Sequence, residues 1–405
     1  MMKVNKEIYK FVIFFSVSLI LFGYGTLSIK DLPTSSDENV HAPHIARILN
    51  EHNLFLKTDT SPLPGYHWTM AFLAKLVHSS SATSMRFSTS FLSFFCLIAF
   101  VILARKIDND AAFQKSCLFL IFPLIFPFFF LIYTDVYSMF YVFLALWAAL
   151  DQRLWLSGIF GILSIFVRQN NIVWLVFVGL LAYFQNYYPQ HRWQDIKHWL
   201  PKFFFFFLGA VLLTAFAIWN KGLVLGQREL HPLSLNFGNL FFFLFIFFFL
   251  FLPQNLKNFP KIVAFLKRHK IMWLILIELF LIYYLFFNAK HPYNRFGRFI
   301  HNWILFMMTA SLQNKILTFL PIAYAVLSLC VTRLQRASFY LFYPFTILFL
   351  IPLPIIEIRY LFIPFSFFLL FKEKDSERIT FYTLAINSFI LFCLMFTLAD
   401  GSFFP

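Results

Sequence analysis

The chain has 405 residues, 60% hydrophobic and 13% charged, with 63 phenylalanines and a formal net charge of +15. A soluble domain carries about 25% charged residues, so a water-surrounded globule is excluded and lipid must solvate much of the surface. The positive balance does not signal nucleic-acid binding, because Lys and Arg collect in short loops between apolar runs, as the positive-inside rule describes.

In chain order, residues 11–29 follow Lys3, Lys6 and Lys10. The run is longer than a signal-peptide core and no small-x-small cleavage site follows it, so it reads as an uncleaved first transmembrane helix with a cytoplasmic N-terminus. Residues 30–66 then emerge on the far side, and 84–104 return to Arg105 and Lys106. Residues 117–133 cross outward, 138–150 come back to Arg153, 154–167 exit near Arg168, and 171–184 re-enter ahead of a loop with Arg192 and Lys197. Residues 203–219 go out, 236–253 return to the most basic loop (Lys257 to Lys270), and 271–288 cross outward.

Residues 300–311 are short and polar-flanked. If they form a re-entrant or interfacial helix, 316–331 returns to Arg333 and Arg336, 338–355 exits, and 360–372 and 379–399 complete the chain. If they span, the C-terminal part inverts. The expected fold is thus an all-α polytopic membrane protein with roughly 12–14 transmembrane helices. It forms one membrane-embedded domain, 1–405, whose first extracytoplasmic loop is 30–83. Cys96, Cys117, Cys330 and Cys393 lie in or at the ends of apolar runs and read as small membrane hydrophobes. The phenylalanine runs at 203–207 and 241–249 read as lipid-facing or inter-helix filler, and no internal repeat of a transporter type is visible.

The first far-side loop carries Asp37, Glu38, His41 and His44 directly after the first helix. Adjacent carboxylates there suit general-base work, since desolvation at the bilayer edge raises a carboxylate's pKa and makes it a better proton acceptor. The plainer alternatives are a solvated acidic turn or a helix N-cap at Asp37. The two histidines invite a metal reading, but their spacing is loose and no second motif completes a ligand set. Tyr133-Thr134-Asp135 and Arg168-Gln169-Asn170-Asn171 sit at outer helix ends, where charge costs less than the ~2.5–3.5 kcal/mol of the bilayer centre. Loops 220–231 and 289–301 place Lys221, Arg228, His231, Lys290, His291, Arg295, Arg298 and His301 on the far side, against the positive-inside rule. Binding an anionic phosphate gives such cations a purpose. Glu357 and Arg359 read either as part of that site or as an internal ion pair.

The segments Asp37-Glu38-x-x-His41-x-Pro43, Pro64-Gly65, Tyr133-Thr134-Asp135-Val136-x-Ser138 and Arg168-Gln169-x-Asn171 come in a particular order. Asn220-x-Gly222-x-Val224, His291-Pro292-Tyr293, Asn294-Arg295 and Glu357-x-Arg359-Tyr360 continue it. In order and spacing the chain resembles the dolichyl-phosphate-glucose α-1,2-glucosyltransferases. It departs from them in lacking an aspartate-bearing insertion between Tyr293 and Asn294, in Ser35 and Ser36 before the acidic pair, and in Leu63 between Pro62 and Pro64. The resemblance implies a membrane glycosyltransferase of the GT-C type that moves glucose, with inversion, from a polyprenyl (dolichyl) phosphate glucose donor to a lipid-linked oligosaccharide in N-glycan precursor assembly. It further implies Asp37 as general base with Glu38 as helper or alternative. His41, Arg168, Lys221, Arg228, His291, Arg295 and Arg359 form the expected donor-phosphate set, with no metal and no cofactor. A eukaryotic cell would house such a protein in the endoplasmic reticulum membrane, active on the lumenal face. The other readings are a bacterial polyprenyl-phosphate-sugar transferase in the cytoplasmic membrane, and a lipid-linked-sugar transporter or flippase.

Overall fold

A computed structural model describes residues 2–51, 60–186, 197, 200–226, 228–232, 234–295, 297–402 and 404. The first-loop residues 52–59 and the basic residue Arg192 lie outside the described residues. Among the described residues the chain is all-helical, with no strand beyond two isolated bridges. Apolar runs in lipid satisfy every backbone group internally only as helices.

The helices, in order, are α1 (Met2–Ile29), α2 (Glu38–Glu51), α3 (Gly65–Leu76), α4 (Ala82–Ile107), α5 (Ala112–Leu120), α6 (Asp135–Leu150), α7 (Leu154–Val167) and α8 (Ile172–Asn186). They continue as α9 (Phe204–Asn220), α10 (Gly238–Leu250), α11 (Leu252–Arg268), α12 (Ile271–Phe286), α13 (Ile300–Thr309), α14 (Leu312–Val331), α15 (Phe342–Leu350), α16 (Phe362–Phe371) and α17 (Glu377–Asp400). The ends follow local chemistry. Ser81 caps α4 by accepting from the Ser84 N–H, and Arg105 and Lys106 close its last turn. Gly401, at φ 72°, supplies the left-handed residue that stops α17.

Among the described residues five helices are long and apolar enough to cross a membrane alone, a sixth span arises if α10 and α11 count as one bent pair, and five more apolar helices are shorter. Not every crossing is one continuous helix. Residues 117–133 run from the Lys115 end to the cavity end without forming one continuous helix: Pro123 and Pro127 interrupt the run, which continues past α5 as turns and a single 3-10 segment, Phe126–Phe129. That irregular backbone is tolerated because nearly every residue from Phe122 to Asp135 is buried in protein. Likewise α10 stops at Leu250, Pro253 opens α11, and the axis turns by 97°. Helix α11 is amphipathic, burying Gln254, Asn255, Asn258 and Ile262 while Leu256 and Phe259 are exposed, the pattern of a helix lying along an interface.

Helix α16 is buried along its whole length. Phe365 and Phe368 pack against Phe247 and Phe251, and Phe367 meets Trp174. The phenylalanine run of α10 is therefore mostly inter-helix filler, with Phe249 turned outward. In the 203–207 run, Phe203 and Phe206 are buried while Phe204 and Phe207 are exposed.

The protein has two chemically distinct ends. From Arg86 to Lys106 helix α4 rises about 30 Å at 1.5 Å per residue, close to the thickness of a bilayer's hydrocarbon core. At the Lys106 end, Lys106 and Arg153 pair with Asp151, Lys115 with Asp108, and Lys257 and Lys372 with Asp375. At the other end, Phe404 and Phe299 form a bridge, with the Ile300 N–H donating to the Phe404 carbonyl at 2.9 Å. Helix α17 starts beside the first cluster and ends beside the second. Helix α13 is thus a short element that stays on one side, and the C-terminal segments keep the parity expected for a non-spanning 300–311.

Candidate active site

The end opposite the Lys106 cluster holds a cavity of about 890 Å³, within the usual size of small-molecule sites. Five segments distant in sequence build it: 32–41, 60–62, 128–134 with Arg168, 293–301, and 355–360, joined by Phe404 near the C-terminus.

Asp37 occupies the N-cap position of α2, where its carbonyl accepts from the Val40 and His41 N–H groups. Its carboxylate does not cap the helix. Oδ2 turns toward Arg359 Nη1 at 2.6 Å, leaving the side chain 39% exposed. Arg359 also donates through Nη2 to Glu357 Oε2 at 2.8 Å, and its Nη1 lies 3.5 Å from Asp135 Oδ2. Arg168 pairs with Asp135 from the other side and lies over the Tyr360 ring at 5.4 Å, while Arg359 lies over Tyr133 at 4.9 Å. Two guanidiniums are thus threaded among three carboxylates at the cavity floor, flanked by aromatic faces.

The electrostatics differ from the sequence expectation in one respect. Burial pushes the Asp37 pKa up, but Arg359, with His41 and Arg168, outweighs it and holds the carboxyl below its ordinary value. The resting base is anionic and weakened by its counterion. Glu357 behaves alike: burial raises it, and Arg359 and His301 bring it below the usual range. His41 is pushed down to about 4, chiefly by burial, which keeps the imidazole neutral.

Glu38, expected as a second catalytic carboxylate, is sequestered. It has 0% side-chain exposure; Oε1 accepts from Arg86 Nε at 3.0 Å and from the Ile132 N–H at 3.0 Å, while Oε2 takes Arg86 Nη2 at 2.6 Å. Both oxygens are engaged, and the group is shielded by burial although it borders the cavity. Sequence reasoning missed Arg86, and the available signal was a guanidinium inside an apolar run, where charge is expensive and implies a partner.

The expected phosphate set divides in two. Arg168, Arg359 and His41 line the cavity; Lys221, Arg228, His291 and Arg295 do not. Lys221 is the left-handed residue that stops α9 (φ 52°) and is exposed. Arg228 binds Asn220 Oδ1, and Asn220 Nδ2 holds the Gly222 and Val224 carbonyls at 2.9 Å, so the Asn220-x-Gly222 motif builds a turn. His291 bridges backbone: Nδ1 accepts from the Tyr293 N–H at 3.2 Å, leaving Nε2 to donate to the Leu230 carbonyl at 2.9 Å. Arg295 is exposed; Arg298, three residues on, is the loop cation that borders the cavity, alongside His231 and His301.

Amide side chains hold the irregular segment that delivers Glu357 and Arg359. Asn239 donates to the Ile355 carbonyl at 2.7 Å and accepts the Glu357 N–H at 3.0 Å. From the opposite side Asn294 donates to the Ile356 carbonyl at 2.6 Å and accepts the Ile356 N–H at 3.1 Å. Primary amides here replace a neighbouring strand, which is how non-helical backbone survives away from water. Gln169 joins the remaining loops by donating to the Ser61 and Leu223 carbonyls at 2.8 and 2.9 Å. Gly65 lets α3 approach α7, since a Cβ there would sit 2.7 Å from the Phe166 carbonyl oxygen. Among the described residues no group of three or more His, Cys, Asp or Glu side chains is disposed to hold a metal ion.

Fold and site together define a polytopic, all-helical membrane protein with a charged, aromatic-walled cavity opening at one end of its helices. The chain belongs to the DIE2/ALG10 family, which matches residues 37–195 and 186–370. It is similar to the Dol-P-Glc:Glc(2)Man(9)GlcNAc(2)-PP-Dol alpha-1,2-glucosyltransferase of Arabidopsis thaliana, 24% identical with 91% of each chain covered. A shorter match, 27% identical over 22% of each chain, is to the protein of the same description from Debaryomyces hansenii. No solved structure matches the chain.

Proposed function

We propose that this protein is an inverting glucosyltransferase of the GT-C type, with dolichyl-phosphate-glucose as donor and a lipid-linked oligosaccharide as acceptor, forming an α-1,2 linkage. The observation that carries the reading is Asp37: of the adjacent acidic pair at the cavity it is the exposed member, 39% against 0% for Glu38, and it stands beside two guanidiniums suited to a phosphate. The donor and acceptor are those of the similar Arabidopsis thaliana and Debaryomyces hansenii glucosyltransferases.

In this reading the donor phosphate sits against Arg168 and Arg359, with Arg298 at the rim. The phosphate first draws Arg359 out of its 2.6 Å contact with Asp37, and the glucosyl group enters the space opened between them. The acceptor hydroxyl gives its proton to Asp37 as its oxygen bonds to the anomeric carbon. The bond from that carbon to the phosphate oxygen breaks on the opposite face, and dolichyl phosphate leaves with the electron pair. One displacement with base and leaving-group stabiliser on opposite faces inverts the centre, by the geometry known from inverting glycosidases. Placing the base correctly contributes about 10²–10⁴ in rate, and fixed cations stabilise the charge growing on the phosphate.

The membrane setting agrees with this assignment. In this reading the Lys106 end, with its basic loops, faces the cytoplasm, and the cavity faces the lumen of the endoplasmic reticulum. The test is transfer by the purified protein in detergent from dolichyl-phosphate-glucose to a diglucosylated lipid-linked oligosaccharide. An α-1,2-linked triglucosylated product supports the reading. Donor binding without transfer to this acceptor moves the assignment to another lipid-linked glycan, and no donor binding overturns it.

A further inference from the structure

The cavity needs its base held in place, yet Asp37 lies in a non-helical stretch between α1 and α2, directly after Ser36 at φ 52°. A left-handed serine persists only where its flanks are fixed. The flanks are fixed by one side chain from another helix. Arg86, near the start of α4 and 1% exposed, spends every guanidinium nitrogen on the segment that carries Asp37. Nη1 donates to the Ile29 carbonyl at 2.7 Å and the Leu32 carbonyl at 2.6 Å, while Nε and Nη2 grip Glu38. Glu38 in turn accepts the Ile132 N–H, which ties the same anchor to the strip bearing Tyr133 and Asp135.

We propose that Arg86 is a positioning residue for glycosyl transfer, acting through Glu38 to fix the 29–38 segment so that Asp37 enters the cavity at a set depth beside Arg359. The proposal rests on the reading of Asp37 as the base. A purely stabilising function would not call for this chemistry, because a buried ion pair adds no stability over well-packed apolar groups of similar size. What the fork does supply is direction: five donors in one plane define the path of the chain around it. Misplacing a reacting group by about 1 Å costs on the order of 10² in rate.

The test compares Glu38→Asp, which shortens the tether by one methylene, with the double variant Glu38→Gln/Arg86→Met, which removes both buried charges. Wild type and Asp37→Asn run alongside. The expected result is folded protein with kcat lowered about 10- to 100-fold and donor KM within about threefold of wild type. The acid limb of the kcat/KM profile should move to higher pH, because Asp37 has slipped from Arg359. Wild-type kcat and acid limb in either folded variant, with the loss confined to melting temperature or yield, overturns the proposal. An active Asp37→Asn protein instead removes the base assignment itself, so the two failures are distinguishable.

Discussion

Arg359 bridges Asp37 and Glu357, its Nη1 2.6 Å from Asp37 Oδ2 and its Nη2 2.8 Å from Glu357 Oε2. A phosphate arriving at this guanidinium competes with Asp37 for it. As the donor takes up the Arg359 hydrogen bonds, Asp37 loses its strongest counterion while its burial is unchanged, and its basicity rises. On the proposed reading the same residue binds the leaving group and keeps the base quiet until the leaving group is present.

Replacing Arg359 by Gln should therefore do two things. It should lower kcat/KM by about 10²–10³, the usual effect of losing a charge stabiliser. It should also shift the acid limb upward, because the depression of the Asp37 pKa below 3.8 comes first from Arg359 acting against burial. Steady-state rates from pH 4 to 8 check both. Arg359→Lys should not restore the wild-type rate, since an ammonium cannot serve two carboxylates in a planar fork.

The buried histidines predict how stability depends on pH. His41 Nδ1 lies 2.9 Å from His67 Nε2, and both imidazoles are held below 6.5, chiefly by burial, His41 to about 4. The unfolded chain takes up protons near 6.5 while the folded protein refuses them, so acid favours unfolding. Stability should fall as pH drops from about 6.5 toward 4, by on the order of 3 kcal/mol from His41 alone. Thermal unfolding in detergent across that window checks it, and Asp37, titrating below 3.8, does not interfere. A midpoint that is flat or rises on acidification contradicts the account.

The amide clamp gives a third expectation. Asn239→Ala and Asn294→Ala each strip partners from the backbone at 355–357. Each should cost about 1–3 kcal/mol of stability. Because the clamped segment delivers Glu357 and Arg359, donor KM should rise as well. Thermal melts paired with donor titration separate these effects, and an unchanged donor KM in both variants would show that the segment needs no clamp.

Much of the site was legible in the sequence because its chemistry interrupts apolar runs. Asp37, Arg168 and Arg359 stand out at helix ends for this reason, and the parity argument placed them on one face. Parity says nothing of azimuth, so Lys221, Arg228, His291 and Arg295 were expected in the donor set although none of them lines the cavity. The pairing of Glu38 was not legible because its partner sits 48 residues away in another helix. The broken form of the 117–133 crossing was not legible, because apolar composition alone cannot distinguish a continuous helix from the buried, proline-broken strip around Phe126 to Phe129. The uniformly apolar α16 needed no polar signal to be placed, since full burial is what such a sequence requires.

The most direct test of the central claim is single-turnover glucose transfer by Asp37→Asn set against wild type, both with donor bound at saturation. Asn preserves the shape of the side chain and removes its ability to accept a proton. The account predicts a folded variant that binds dolichyl-phosphate-glucose and transfers its glucose at least about 10²-fold more slowly. Transfer within a few-fold of wild type would contradict it and remove Asp37 from the chemistry.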